Sequence, residues 1–582
     1  TRARATKNAP ANVVLKDASA FTVVGTPHGR VDARDIVTGR KQFAMDLEVP
    51  GALPTMLCRP PTINGTVVSV QNIAAVKALP GVTDVAVIPS GVAVRAVTFG
   101  QCIDAVRALK VTWGGGPVDD KSDARVKSDL IAGEQPLAAP SSPVPGVTGV
   151  IDQTFTFAFA SNSPLETNCA IADVRSDRAE IWSSLKTPIL AQESIANELG
   201  LTPDKVVCHV AQGGGSFGRH LFFDAALEAV RVSKAMGKPV KLMWHRTDDF
   251  RQGRLHPMST SHVRATYSGA NVTSFEQRHT SVSTDWTHGF GEIVTATLAK
   301  PPNFNGGYSQ TVFDLSQNVP YDFGAVSQTL NEVDPGFNTG AMRNVYSPNV
   351  TAARELIVDQ LAKAVGLDAV EFRRSFLSDD RLLAVLNKAV ERGRWGRSMP
   401  AGTAQGIGIH NEYKSRCAVL VEIDCTPATV NRTVANGYTG PRITKAVCAV
   451  DAGLPVNPRG LEAQMIGGMM DGIGLALTFS VHLDNGHLLE GSWDDTFYTR
   501  QWNVPFEVEV VVLPATTDVP GGAGELAVAT TLAAVACAYA RATGTLPTQF
   551  PINHDRASLG FEPLPTVPSI PPSPTDGLSR AF

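Results

Sequence analysis

Apolar residues recur along this chain with two different periods. Ile357, Leu361, Ala364 and Val365 keep the i, i+4, i+7, i+8 spacing of one helix face, and Gly366 stops that run. Leu382, Val385, Leu386, Ala389 and Val390 repeat the pattern. "TPILAQESIANELGL" predicts another helix, with Pro188 near its start and Gly200 as its C-cap. Further helices are predicted over 221–236, closed by Gly237, and near 460–477 and 527–543. Short β-rich runs flanked by turn residues predict strands: "DVAVIPSGVAVRAV", "AEIWSSL", residues 206–210, "PVKLMW", "AVLVEIDC", "TKAVCAVD" and "PFEVEVVVL". Residues 260–330 read as β-rich and irregular. Residues 116–150 are rich in Gly, Ser, Pro and Asp and read as a linker.

Helices and strands mixed in this way predict an α+β protein. At 582 residues the chain exceeds one ordinary core, so two or more domains are expected. A hydrophobic share of 43% and a charged share of 18% are those of a globular protein, and the net charge of -4 gives no electrostatic case for nucleic acid or an anionic membrane. The most apolar helical stretch, "GLEAQMIGGMMDGIGLALTF", carries Glu462 and Asp471 and predicts a buried helix, not a membrane span. None of the eight cysteines forms C-x-x-C and several sit in apolar runs. Buried free thiols in a reducing compartment are expected, with neither an iron–sulfur cluster nor structural zinc on this chain. The same thiols favour the cytoplasm; a leader upstream of Thr1 would leave export open.

The stretch "HVAQGGGSFGRHLFFDAALEA" raises a chemical question. Gly213, Gly215 and Gly218 satisfy G-x-G-x-x-G after an apolar run and before a helix. A dinucleotide-binding βαβ unit also needs an acid ending the next strand about 20 residues on. Here that strand runs into "MWHRTDD", with Asp248 thirty residues past Gly218. An NAD-linked oxidoreductase is therefore the alternative reading. Without that fold, the loop still aims successive backbone N–H groups into a concavity ahead of a helix N-terminus, which suits an oxygen-rich ligand. A tight strand–helix turn that binds nothing would show the same glycines.

Three further stretches bear on the choice: "NTGAMRNVYSPNVTAARELIVDQLAKAVGLDAVEFRR" (338–374), "AVDAGLPVNPRGLEAQMIGGMMDGIGLAL" (449–477) and "PGGAGELAVATTLAAVACAYARATGTLPTQFPI" (520–552). In this order, behind "GGGSFGRH", they resemble the large subunit of the molybdenum hydroxylases, the xanthine oxidase and aldehyde oxidase superfamily. The likeness is nearest to the branch that holds the isoquinoline 1-oxidoreductase beta-subunit and the nicotinate dehydrogenase B-subunit. "RVDARDIVTGRKQFAMDLEVPGALPTMLCRPP" resembles the α/β-hammerhead domain of that family, and "EGSWDDTFYTRQWNVPFEVEVVVLP" a late segment of it. The resemblance implies an N-terminal extension (1–19), an α/β-hammerhead domain (20–115), the linker (116–150), a molybdenum cofactor-binding catalytic domain (151–560) and a Pro-rich tail (561–582).

It also implies a cofactor: molybdopterin cytosine dinucleotide, its molybdenum held by the pterin dithiolene and by no protein side chain. It implies hydroxylation of an aldehyde or N-heteroaromatic substrate with water-derived oxygen. Electrons then leave through [2Fe-2S] clusters on a small partner subunit, with a flavin- or haem-bearing acceptor beyond. A non-catalytic homologue is the remaining alternative.

Site residues carry over position by position. Glu525, in "GGAGELA", matches the general base, with Gly524 beside it where backbone approaches the metal; alone, Glu525 also reads as an N-cap acid of the helix that follows. Gly214, Gly215, Ser216, Phe217 and Gly218 match the glycine loop, with Ser216 an insertion into its common form, and Arg219 matches a basic position after it. Arg343 matches an arginine loop over the metal, or forms a salt bridge at a helix start. Gln464 matches a cofactor-facing position, or is a satisfied core amide. Lys186 stands where relatives often have glutamine. Trp244, Trp286, Phe290, Tyr346, Trp493, Tyr498 and Trp502 are candidates for a pocket wall or for core. Relatives also carry an upstream "MGQG"-type loop; "GTAQGIGIH" is not that loop. A stretch upstream of Thr1, or a separate chain, is expected to complete the cofactor site.

Overall fold

The computed structural model describes residue 14 and residues 16–299, 305–337, 339–432 and 440–554; most of the N-terminal extension and the Pro-rich tail lie outside the described residues. Among the described residues, three larger sheets and the helices between them form an α+β architecture.

The largest sheet has seven strands, in the order 206–210, 179–183, 169–174, 240–243, 53–58, 91–96, 82–88. Leu53–Cys58 pairs in parallel with Val240–Met243, so the segments before and after the region read as a linker share one sheet. That region is not all linker. Asp123–Ala132 is a helix, with the Ser122 hydroxyl accepting from Arg125 N at 3.3 Å and Val126 and Leu130 buried against Phe159 and Phe250. Its polar surface masks a two-residue apolar stripe.

The dinucleotide-fold alternative fails on the same sheet. Val206–Val210 is an edge strand, parallel only to Ala179–Ser183. The strand after the glycine loop and its helix, Val240–Met243, pairs instead with Cys169–Val174 and Leu53–Cys58. A βαβ crossover would have laid it beside 206–210.

A second sheet runs 325–333, 271–282, 259–268, 149–157, 549–550, and a third runs 403–412, 415–424, 442–451, 507–512. The 260–330 region holds two helices besides its strands, Ile293–Leu298 and Asn305–Ser316. The predicted helices stand at Pro188–Leu199, Asp224–Met236, Ser347–Ala364, Asp380–Gly393, Pro458–Leu477 and Leu526–Thr543. Gly200 and Gly237 close theirs at φ 71° and 62°.

Helix Leu526–Thr543 is the centre of the main core. It is long and apolar enough to cross a membrane, yet nearly all of it is buried among Ser347–Ala364, Pro458–Leu477 and the third sheet. Its close seat depends on glycine: a Cβ at Gly406 would stand 2.2 Å from the Ala534 carbonyl oxygen, and one at Gly408 2.6 Å from that of Thr530. Those glycines of "GTAQGIGIH" fix the height of the helix and therefore of Glu525 at its N-cap.

Candidate active site

The glycine loop is tied down at Gly214. Gly214 N donates to Glu166 Oε2 at 2.6 Å, and Glu166 Oε1 accepts from Met45 N at 2.9 Å. Gly214 thus spends its amide on the protein. The inserted Ser216 closes the turn: its carbonyl accepts from Arg219 N at 2.8 Å and its hydroxyl from His220 N at 3.3 Å. Among the described residues, the amides of Gly215, Ser216, Phe217 and Gly218 have no hydrogen-bond partner. Arg219 is fully buried. Its guanidinium pairs with Asp224 at 2.8 Å and lies 5.4 Å from the Trp244 ring, on the core side of the loop.

The loop is pinned to the arginine segment. Phe217 and Arg343 both adopt left-handed backbone, φ 51° and 63°, and Arg343 N donates to the Phe217 carbonyl at 2.7 Å. Asn162 Nδ2 donates to that carbonyl at 3.1 Å and also to the Ala341 carbonyl. Two non-glycine residues in this region cost of order 1–3 kcal/mol each, and such strain concentrates at functional sites.

Arg343 joins three segments. Nε donates to the Gly524 carbonyl at 2.7 Å, Nη1 to Asp471 Oδ2 at 2.9 Å, and Nη2 to the carbonyl and Oε1 of Gln464 at 2.7 and 3.2 Å. The guanidinium reaches helix Pro458–Leu477, not its own helix start, and Gln464 is exposed, not a core amide.

Glu525 holds the N-cap position of its helix, but its side chain caps nothing. Instead its Oε2 accepts from Asn344 Nδ2 at 3.4 Å. It borders a partly open cavity of about 210 Å³ walled by Trp286, Phe290, Tyr346 and Tyr413, with Glu412 on the same lining. Burial pushes the Glu525 carboxyl up to about 8, and the Glu412 carboxylate pushes in the same direction; Arg343 and Lys186 oppose. Lys186 acts on the site as a charge: burial lowers its pKa and Glu525 opposes that shift.

A second cavity, about 230 Å³, lies across the Arg343 segment, lined by Asn162, Phe217, Met342, Asp471, Trp493 and Tyr498. The sequence-predicted aromatics therefore divide. Trp286, Phe290 and Tyr346 wall the Glu525 cavity; Trp493 and Tyr498 wall the second; Trp244 is core beneath Arg59, 4.2 Å away. The side chain of Trp502 lies outside the described residues. Sequence reasoning missed Glu166, Asn162, Asn344 and Glu412. Only Glu412 left a signal, the one acidic residue of strand Thr403–Glu412.

Models of the molybdopterin cofactor-binding domain match residues 146–300 and 401–505. The chain carries the molybdopterin cofactor-binding domains and is similar to the molybdenum hydroxylase large subunits. It is 28% identical over 570 residues to the isoquinoline 1-oxidoreductase beta-subunit of Brevundimonas diminuta, covering 93% of the chain and 70% of that protein. It is 25% identical to the nicotinate dehydrogenase B-subunit of Pseudomonas putida, covering 95% of the chain and 49% of that protein. The chain thus spans from half to seven-tenths of these relatives' length. In fold it is similar to quinoline 2-oxidoreductase from Pseudomonas putida 86, at TM-score 0.73 and 16% identity over 91% of this chain and 97% of that one. Cu,Mo-CO dehydrogenase follows at 0.71 and 14%, over 92% and 98%.

The residues present fit a molybdopterin centre. Among the described residues four successive loop amides are left without a hydrogen-bond partner, and a Cβ on Gly524, beside Glu525, would meet open space. Among the described residues no group of three His, Cys, Asp or Glu side chains could ligate a metal.

Proposed function

We propose that this chain hydroxylates an electron-poor carbon of an aldehyde or N-heteroaromatic substrate, with Glu525 as general base. One observation carries the reading: a carboxyl that could cap its helix makes no cap and borders an aromatic-walled cavity instead. When bound, the molybdenum centre supplies the two-electron oxidation. The amides of Gly215–Gly218 present hydrogen-bond donors to it, and Arg343 holds the Gly524 carbonyl so that Glu525 keeps its aim. Trp286 and Tyr346 present flat faces to a planar substrate and exclude water, their polar tips satisfied by Trp286 Nε1 donating to Tyr346 Oη at 3.2 Å and Tyr346 Oη donating to Glu332 at 3.1 Å. Glu525, shielded and basic, takes up the proton released as water-derived oxygen is inserted.

The reading includes the cytosine dinucleotide form of the cofactor, a small subunit carrying [2Fe-2S] clusters, an acceptor with flavin or haem, and a further polypeptide stretch supplying glycine and glutamine near the pterin. A buried anionic cofactor needs most of its hydrogen-bonding edges met, and the 213–218 loop reaches one end only. Metal, nucleotide and iron analysis of the native complex, with turnover of an aldehyde and azaarene panel by an artificial acceptor, tests this. An active, molybdenum-free preparation overturns it.

A further inference from the structure

The second cavity, about 230 Å³ across the Arg343 segment, shares no lining residue with the one that Glu525 borders. Its walls are largely flat and apolar: Phe217, Met342, Phe479, Trp493 and Tyr498, with Phe479 stacked on Trp493 and Tyr498 set edge-on to it. Two polar side-chain atoms of this lining are buried with no hydrogen-bond partner, Asn162 Oδ1 and Trp493 Nε1. Asn162 is 2% exposed, and its orientation is fixed. Nδ2 donates to the carbonyls of Phe217, at 3.1 Å, and of Ala341, so the nitrogen faces them and the oxygen is left over. The other polar side chains of the lining answer one another or Arg343. Ser161 Oγ lies 2.7 Å from Ser163 Oγ, and Asp471 accepts from Arg343 at 2.9 Å and from Tyr498 at 2.7 Å. The charge of Asp471 is therefore met within the protein.

We propose that this cavity is a further binding site, for a neutral planar molecule that carries an N–H and a carbonyl: a lactam fused to an aromatic ring. Its N–H donates to Asn162 Oδ1, its carbonyl accepts from Trp493 Nε1, and its faces lie against the aromatic walls. A buried donor or acceptor left unpaired costs about 1–3 kcal/mol, so a ligand that answers both atoms is favoured over an empty cavity. Water suits the place poorly, because a buried water needs about two to four polar partners and these walls are apolar. An engineered cavity of about 150 Å³ holds benzene, so the larger volume here takes two fused rings. A charged ligand would find no free counter-charge on the lining. The site does not depend on the role given to Glu525.

The test is isothermal titration calorimetry of the assembled, metal-loaded enzyme with oxindole, N-methyloxindole and indene. Oxindole should bind about tenfold or more tighter than N-methyloxindole, which lacks the N–H, and than indene, which lacks both groups. Trp493→Phe keeps a ring in the wall and removes the donor. It should weaken oxindole binding about tenfold and change indene binding little. An excess of benzaldehyde should not displace oxindole, because the Glu525 cavity shares no wall with this one. Equal affinity of wild type for oxindole and its N-methyl derivative overturns the proposal even if Trp493→Phe fails to fold. So does unchanged oxindole affinity in a folded Trp493→Phe variant, or displacement by benzaldehyde. Binding to cofactor-free protein alone also overturns it, because the cofactor would then fill the cavity. Failure of the general-base reading shows separately, as retained turnover in Glu525→Gln.

Discussion

Arg343 donates to Asp471 at 2.9 Å, yet the Asp471 carboxyl remains above the ordinary aspartate range because its burial outweighs the attraction. Tyr498 Oη donates to the other oxygen at 2.7 Å. The pair ties the strained arginine segment to helix Pro458–Leu477, and Arg343 carries the tie on to Gly524.

Removing one partner of this buried pair should cost more than the pair contributes. Arg343→Met is expected to lower unfolding free energy by about 3 kcal/mol, because it strands a carboxyl that is 3% exposed, whereas Arg343→Met with Asp471→Leu recovers part of the loss. Urea denaturation of both variants checks this. A single variant as stable as wild type would remove the tie from the account.

Glu525→Gln should keep fold and bound molybdenum while kcat falls roughly a hundred- to ten-thousand-fold. Metal analysis beside steady-state kinetics decides it. Near-normal kcat at full metal content would exclude Glu525 as the base.

The base must be ionised to act, so kcat/KM should rise with pH through about 8. The stability linkage has the opposite sign. The folded-state pKa is raised above the ordinary glutamate value, so the native protein holds the proton more tightly than the unfolded chain. This contribution to stability is present in full below about 4.5 and is lost as pH rises to about 8. Rate and chemical denaturation measured over the same pH series should therefore run in opposite directions.

Lys186 favours the ionised form of Glu525. Lys186→Gln should move the rising limb of that profile to higher pH and reduce turnover at neutral pH, with little change at pH 9. A profile that stays in place would mean the ammonium does not reach the base.

A side chain at Gly218 meets protein at once. The residue has φ 98°, and a Cβ would stand 2.8 Å from both Cβ and carbonyl oxygen of Ala341. Gly218→Ala is expected to cost roughly 1–3 kcal/mol and to lower the molybdenum content of purified enzyme, because it separates the amide loop from the arginine segment. Full metal loading with unchanged thermal stability would count against that role.

The sequence alone determined the helices, their glycine stops and the α+β class, because apolar spacing and capping act over one or two turns of chain. The likeness to the molybdenum hydroxylases was legible there as well, since motifs carry their order with them. It could not show helix Asp123–Ala132, whose buried stripe is only Val126 and Leu130 inside a polar run. Nor could it separate the two meanings of Glu525, because an N-cap acid and a base share one position in the chain; only the packed structure turns the side chain away from its helix. Tertiary structure alone brought Arg343 to Asp471 and set Glu412 in one cavity with Glu525. Those meetings depend on how closely Leu526–Thr543 settles on Gly406 and Gly408, a matter of backbone contact between segments far apart in sequence, which no local pattern encodes.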